Sequence, residues 1–428
     1  MVQPAWILSV GFGVLMVLGV PFGFALVLTT ILVVVTADID GMLLAQTLIA
    51  GTQSFSLLAI PFFMLAGEIM SAGGLSARLV NVASVFVRHL RGGLGQVTIL
   101  AAVVFAAISG SAPATTAAIG SIMIPAMAAR GYDRAFAAAL AVSAGVLGPM
   151  IPPSIAGVIW GVVAEQSIAR LFLSTVVPGL AIAAGLLVIC WWQARKQGIP
   201  LEPRASRAEI LQALRDGKWA LLTPVIVLGG IYGGAFTPTE AAVVSCVYGL
   251  FVGFVVERRL SLRELPGIVV SAMRVTTIVM FIIAASGGFG FLVAQEQVAA
   301  KGAAWLATHL EEKWLMLLVL NLAFFVVAAV MDEIAIMVIF GPMLMAIASR
   351  FGLDPIHFGA MIVTNVSIGM AAPPIGYCLF VGMAISNLPL GRIARAIWPQ
   401  VAWMLVVLFL TTYVPAFSLG IQALLGRH

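Results

Sequence analysis

Charged residues are scarce in this 428-residue chain: Asp, Glu, Lys and Arg make up 9%, against 62% hydrophobic residues. A soluble domain carries roughly a quarter charged residues, so the scarcity excludes a water-soluble globule and points to a bilayer protein. Cysteine is nearly absent too. Cys190, Cys246 and Cys378 are isolated in apolar surroundings, which excludes a disulfide framework or a cysteine metal site. Histidine is as sparse: His89, His309, His357 and His428 sit at the edges of apolar runs or at the terminus, and no HExxH occurs. A serine nucleophile such as Ser109 or Ser111 needs a base within reach. An intramembrane protease is therefore disfavoured, no catalytic residue is assigned, and the chain is read as a non-enzyme. A pore-lining charge ring is missing as well, which counts against a passive channel.

What the chain has is long apolar runs, at about 5–20, 22–37, 55–71, 94–129, 136–164, 171–192, 219–256, 267–294, 314–349, 357–386 and 398–420. Several exceed the ~20 residues that cross ~30 Å of hydrocarbon, and the longest must reverse or break. Continuous runs rather than short alternating strands predict an all-α polytopic membrane protein and exclude an outer-membrane barrel. Trp6 to Pro21 has no basic flank, and the apolar run resumes after it, so it reads as a first span and not a cleaved signal. Residues 5–37 read as two short spans or as one kinked helix.

Basic residues punctuate these runs: Arg78, Arg88 and Arg91; Arg130 and Arg134; the stretch 193–219; Arg258, Arg259 and Arg263; Arg392 and Arg395. Placing all of them in the cytoplasm satisfies the positive-inside rule, and their loop positions make the net charge of +5 no sign of nucleic-acid binding. Residues 92–129 then start and end on one side, so they must form a re-entrant hairpin, tipped at SGSAPAT (109–115). Continued through the second half, the same walk predicts a second hairpin over 314–349, tipped near MDEIA (331–335), that enters from the opposite face. Five full crossings per half give two oppositely oriented halves. The expected organisation is scaffold spans (1–75), a transport half (76–192), a basic cytoplasmic linker (193–218), scaffold spans again (219–266) and a second transport half (267–428).

The repeat is visible in the residues themselves. At an offset of 221, Gly120 falls on Gly341, Gly131 on Gly352, Asp133 on Asp354, Gly148 on Gly369, Pro152-Pro153 on Pro373-Pro374 and Gly161 on Gly382. Matched turns and helix breakers imply an inverted-repeat transporter. Proline removes a backbone donor and clashes with the preceding turn, so each Pro-Pro unwinds its span. Freed peptide groups are tolerated in a bilayer only where they line a protein-enclosed cavity. Two broken spans facing two hairpin tips can build one.

No Lys or Arg occurs in 92–129, 135–169, 314–349 or 351–391, so an anion held there would rely on helix termini, hydroxyls and co-bound cations. Hard oxygen donors suit sodium. The candidate sodium ligands are Ser109, Gly110, Ser111 and Gly148 in one half, with Asp332, Asn365 and Gly369 in the other. The candidate substrate contacts are Ser111, Thr115, Pro152, Ser154, Asp332, Pro373 and Pro374. Ser143 and Thr364 read as hydroxyls bonded one turn back along their helix. Among the acids, Asp332 and Glu333 fall at the second tip, where a wet cavity is expected. Glu240 is expected to fix a turn at a helix start, Glu68 to mark a membrane edge, and Asp133 and Asp354 to sit in turns.

Over essentially its whole length the chain resembles the large membrane subunit of tripartite ATP-independent periplasmic (TRAP) transporters. The stretches that carry the likeness are AIPFFMLAGEIM (59–70), AAISGSAPATTAAIGSIMIPAM (106–127), RGYDRAFAAAL (130–140), GPMIPPSI (148–155), GAFTPTEAA (234–242) and MDEIA to APPIGYCLFV (331–381). The resemblance implies an elevator-type importer of the bacterial inner membrane, driven by sodium as coupling ion and carrying a C4-dicarboxylate, sialic acid or related carboxylate. It implies two partners, a small four-helix membrane subunit and a periplasmic substrate-binding protein. Sodium sites would fall at Ser109 to Ala112 with Gly148 to Pro152, and at Met331 to Glu333 with Gly369 to Pro373. Three departures alter possible ligands: Ala112-Pro113 in the first tip, Ala372 before the second Pro-Pro, and Glu333 as an added carboxylate. The alternative reading is a stand-alone ion-coupled anion carrier of the same hairpin architecture.

Overall fold

The computed structural model describes residues 4–310 and 312–424, and all regular structure among them is helical. Six helices are long and apolar enough to cross a bilayer, or eight if two bent helix pairs each count as one span. The N-terminal region is two helical segments. Left-handed Gly19 and extended Pro21 separate the stretch ending at Val17 from α1 (Phe22–Thr36), so the kinked single helix is excluded. A short helix, Gly41–Ala50, leads to α2 (Ala59–Ala72).

Both expected hairpins are present. In the first, α3 (Gly93–Ser109) ends where Gly110 takes φ +62°, a left-handed conformation that favours glycine, and α4 (Ala112–Ala129) begins after extended Ser111. The reversal thus takes two residues. In the second, α10 (Lys313–Ala328) turns into α11 (Glu333–Arg350) through Asp332, whose carboxylate caps the new helix by accepting from the Ile334 amide at 2.9 Å. Each broken span also forms as expected. The first is α5 (Arg134–Gly145) and α6 (Ile155–Val163); the second is α12 (Pro355–Gly369) and α13 (Tyr377–Ser386). The peptide bonds within Pro152-Pro153 and Pro373-Pro374 are both cis.

The remaining long helices are α7 (Ile168–Lys196), α8 (Pro238–Phe251), α9 (Leu265–Gln295) and α14 (Trp398–Tyr413). The offset of 221 carries α3, α4, α5 and α6 to within one residue of the starts of α10, α11, α12 and α13. Packing repeats as well. α2 lies on α8 while its repeat mate α9 lies on α1, and α4 packs against α13 while α11 packs against α6. Such reciprocal pairing is what two copies related by a pseudo-twofold produce. α5 is nearly all buried and α12 buried from Ile356 onward, as expected of helices apolar on every face, so the first halves of the broken spans form the core.

Three stretches show detail beyond the sequence reading. Within and beyond the linker 193–218 a helix runs from Arg207 to Tyr232, started by a capping box in which Ser206 and Glu209 bond reciprocally. Those bonds, with Arg88, hold the Glu209 carboxyl below its ordinary range. The last apolar run bends by 67° where Val414 takes an extended conformation before Pro415. Short helices at Leu75–Val87 and Val298–His309 join spans. Ion pairs Arg78–Glu257, Arg88–Glu209 and Arg130–Glu202 tie arginines of the first two basic clusters to other parts of the chain.

Candidate functional site

Each tip is docked on the break of its own repeat by one matched hydrogen bond. The Ile155 amide donates to the Gly110 carbonyl at 3.1 Å, and the Gly376 amide donates to the Ala329 carbonyl at 2.8 Å. Ile155 and Gly376 are 221 positions apart. Two glycines make the approach possible. A Cβ on Gly148 would meet the Ser111 carbonyl carbon at 2.5 Å and the Ala112 amide at 2.8 Å, and a Cβ on Gly369 would meet Ala328, with its carbonyl carbon at 3.0 Å. The matched glycines seat the two hairpins on the broken spans.

The tips meet at a cavity of about 610 Å³. Ser109 and Ser111 come to it from the first tip, Asp332 and Glu333 from the second, and Tyr377 from the start of α13. The opposite wall belongs to α2 and α9, with Glu68, Ser71, Val275 and Ile278 among its residues. The seven expected substrate contacts divide accordingly. Ser111 and Asp332 line the cavity; Thr115, Pro152, Ser154, Pro373 and Pro374 are not among its lining residues. Thr115 is fully buried, with its hydroxyl 2.7 Å from that of Ser109, so it braces the tip. Ser154 spends its hydroxyl capping α6, accepting from the Gly157 amide at 3.0 Å. Pro152 is buried in the break, whereas Pro374 is exposed and Pro373 half-buried.

The sodium candidates were expected in two sets, one per repeat. Ser109, Gly110, Ser111 and Gly148 converge where the first tip meets its break. In the second set Asn365 is fully buried and its amide donates to the Asn321 side-chain oxygen at 2.8 Å, while its own Oδ1 has no partner. A buried unpaired oxygen is costly unless something binds it, and one cation would satisfy it. Only hard oxygen donors are offered, which fits sodium. Thr364 bonds back to the Ala360 carbonyl at 2.7 Å as expected; Ser143, read the same way, leaves its buried hydroxyl unpaired.

Glu68, expected at a membrane edge, lines the cavity. The signal was available. Met64, Gly67, Glu68 and Ser71 recur at i, i+3, i+4 and i+7, one helix face, and all four line the wall. The turn assignments are sharpened: Glu240 completes a capping box with Thr237, and Asp133 and Asp354 cap α5 and α12.

Paired hairpins and broken spans closing on one cavity inside a helical bundle are the architecture of a secondary-transporter permease. The family model for the tripartite ATP-independent periplasmic transporter, DctM component, matches residues 9–417. The chain is 43% identical over 383 residues to the C4-dicarboxylate TRAP transporter large permease protein DctM of Pseudomonas aeruginosa, covering 90% of each. It is 40% identical to the isethionate TRAP transporter permease protein DctMQ of Oleidesulfovibrio alaskensis, covering 98% of this chain and 66% of that longer one. The YdaH transporter of Alcanivorax borkumensis shares the fold, with a TM-score of 0.65, 16% identity and 90% of each chain covered. The chain belongs to the DctM family of TRAP transporter large permeases, multi-pass proteins of the inner membrane, and is a transport subunit rather than an enzyme.

Proposed function

We propose that this chain is the permease subunit of a sodium-coupled importer of organic acids, fed by a periplasmic binding protein and completed by a small membrane subunit. The observation that carries the proposal is the meeting of two repeat-related tips at one cavity, each seated on a broken span by a matched amide-to-carbonyl bond. Sodium at the first set would sit among Ser109, Gly110, Ser111 and Gly148, and at the second among Asp332, Asn365 and Gly369. There it supplies positive charge that the cavity's own side chains lack. Ser111 caps none of the α4 amides with its side chain; Pro113 has no N–H and the Thr115 amide bonds the Ser111 carbonyl, so the amides of Ala112 and Ala114 are the ones left at the open end of α4. The substrate's carboxylate is held by these amides, the serine hydroxyls and the neighbouring cations.

The elevator reading rests on the division of the cavity walls. One wall is built from both hairpins and α13, the other from α2 and α9. If the hairpins and broken spans slide as one body along α2 and α9, the cavity is carried across with its contents. The fused relative DctMQ supports a small-subunit partner, and the resemblance to TRAP systems supports the binding protein. The test is uptake of labelled succinate, an isethionate or a sialic acid into proteoliposomes, with each component and the sodium gradient withheld in turn. Uptake only with all of them is expected. Robust uptake by this chain alone would refute the partnership.

A further inference from the structure

Resting on that reading, we infer that Asn321 and Thr412 are positioning residues for the second sodium set: they hold the Asn365 amide with both its hydrogens engaged, so that its oxygen alone is left for a cation. Three helices supply the three residues, Asn321 from α10, Asn365 from α12 and Thr412 from α14, and all three are buried. The bonds run in one direction. The Thr412 hydroxyl donates to the Leu408 carbonyl at 2.7 Å, one turn back, and so meets Asn321 as an acceptor. Asn321 Nδ2 donates to that hydroxyl oxygen and to the Leu317 carbonyl, both at 3.0 Å, with the Met361 sulfur 3.7 Å away. Two oxygen acceptors take both of its hydrogens and leave its Oδ1 for α12. Asn365 Nδ2 then donates to Asn321 Oδ1 at 2.8 Å and to the Asn321 carbonyl at 2.9 Å, while its own oxygen has no partner.

Neither amide can be turned over. Reversing Asn365 would set its oxygen against the two acceptors of Asn321, and reversing Asn321 would set an oxygen against the Leu317 carbonyl. Helix packing alone does not ask for this arrangement. At the offset of 221, Asn321 and Asn365 fall on Leu100 and Ala144. α3 packs against α5 as α10 packs against α12, so the first repeat makes the same helix contact with no amide at either position. Side-chain bonds between helices are common glue in membranes, but glue is complete when every polar atom is paired, and here a buried oxygen is left over. Asn365 stands one turn before Gly369 on the same helix face, and Gly369 is the residue on which the second hairpin is seated. The Thr412 carbonyl lies 3.2 Å from His357 Nε2, which ties the end of α14 to the first turn of α12. Without the Thr412 hydroxyl, Asn321 keeps one side-chain acceptor, its amide is free to turn, and the direction of the Asn365 amide is no longer fixed.

The experiment follows the melting temperature of the full chain, purified in detergent, as sodium is titrated at constant ionic strength. Thr412→Val should raise the half-saturating sodium concentration by about tenfold, the lower end of what losing a ligand's outer hydrogen-bond partner does to metal affinity. Thr412→Ser keeps the hydroxyl and should stay within about twofold of the parent, and Thr412→Cys, which keeps a weak acceptor, should fall between the two. In an Asn365→Leu background, adding Thr412→Val should move the midpoint by about twofold or less, because the group through which it acts is gone. A threonine with a packing role only would lower the melting temperature without sodium and leave the midpoint in place. That result in Thr412→Val and Thr412→Cys overturns the inference, as does an equal shift with and without Asn365. A midpoint that moves in Asn365→Leu but not in the Thr412 variants sinks this inference alone. An unmoved midpoint in Asn365→Leu removes the second ion set and this inference with it, and absence of any stabilisation by sodium sinks the importer reading itself.

Discussion

Gly148→Ala is the smallest change that should disturb the first tip, and its effect follows from the geometry. The added methyl would lie 2.5 Å from the Ser111 carbonyl carbon and 2.8 Å from the Ala112 amide, with the Ser111 oxygen nearer still. All three are backbone atoms, so no side chain can swing aside, and the tip itself has to retreat. Overpacking of this kind costs about 1–3 kcal/mol. The strain falls on the docked arrangement in which the proposed cation would be shared by Ser109 to Ser111 and Gly148, and 1.4 kcal/mol is a factor of ten in affinity. The half-saturating sodium concentration for uptake should therefore rise by about tenfold or more. Sodium-dependent thermal stabilisation of the purified protein should weaken in parallel. Gly229→Ala is the control, since a Cβ there meets nothing within 4 Å and helix propensity favours alanine. Unchanged sodium affinity in Gly148→Ala would refute the placement of a cation at this contact.

Other outcomes follow from the same structure. Gly369→Ala should weaken sodium dependence through its collision with Ala328, and adding Ala328→Gly should restore part of the loss; uptake kinetics in the double variant decide this. Asn365→Leu removes the unpaired oxygen along with the bond to Asn321, so sodium dependence should fall by more than thermal stability does, and an equal fall in both would argue for a purely structural asparagine. Arg78→Ala leaves the Glu257 carboxylate, whose side chain is 5% exposed, without its bidentate partner and should cost about 1–2 kcal/mol in thermal unfolding while leaving substrate affinity intact. Disulfides bridging α2 or α9 to the hairpin helices should stop uptake reversibly while leaving assembly unchanged; undiminished uptake in the oxidised state argues against sliding.

The hairpins, both breaks and the repeat could be read from the sequence because each rests on a local signal. Gly110 supplies a left-handed residue at the first tip, Pro152-Pro153 and Pro373-Pro374 interrupt otherwise unbroken apolar runs, and basic residues fix where the chain re-enters. What was not legible depends on which residues face each other across the bundle. Thr115 carries a hydroxyl of the right type at the right tip, yet α4 turns it inward toward Ser109, and rotation about a helix axis has no signature in a run of small apolar residues. The place of Glu68 on the cavity wall was hidden for a related reason. A lone acid near the end of a span suggests a membrane edge until α9 is known to lie opposite it. Arg207 to Tyr232 was split because the charged first half of that helix reads as linker, although its capping box was present in the sequence as Ser206 and Glu209.

The account depends most on two cations being held where the tips meet the breaks. An experimental structure of the complex in sodium, resolved finely enough to show bound ions, is the most direct test. It should show one cation among Ser109, Ser111 and Gly148, and a second that satisfies the Asn365 oxygen close to Asp332, with the two tips entering from opposite faces of the membrane. Tips entering from a single face, or these contacts well resolved and empty of cations at saturating sodium, would contradict it.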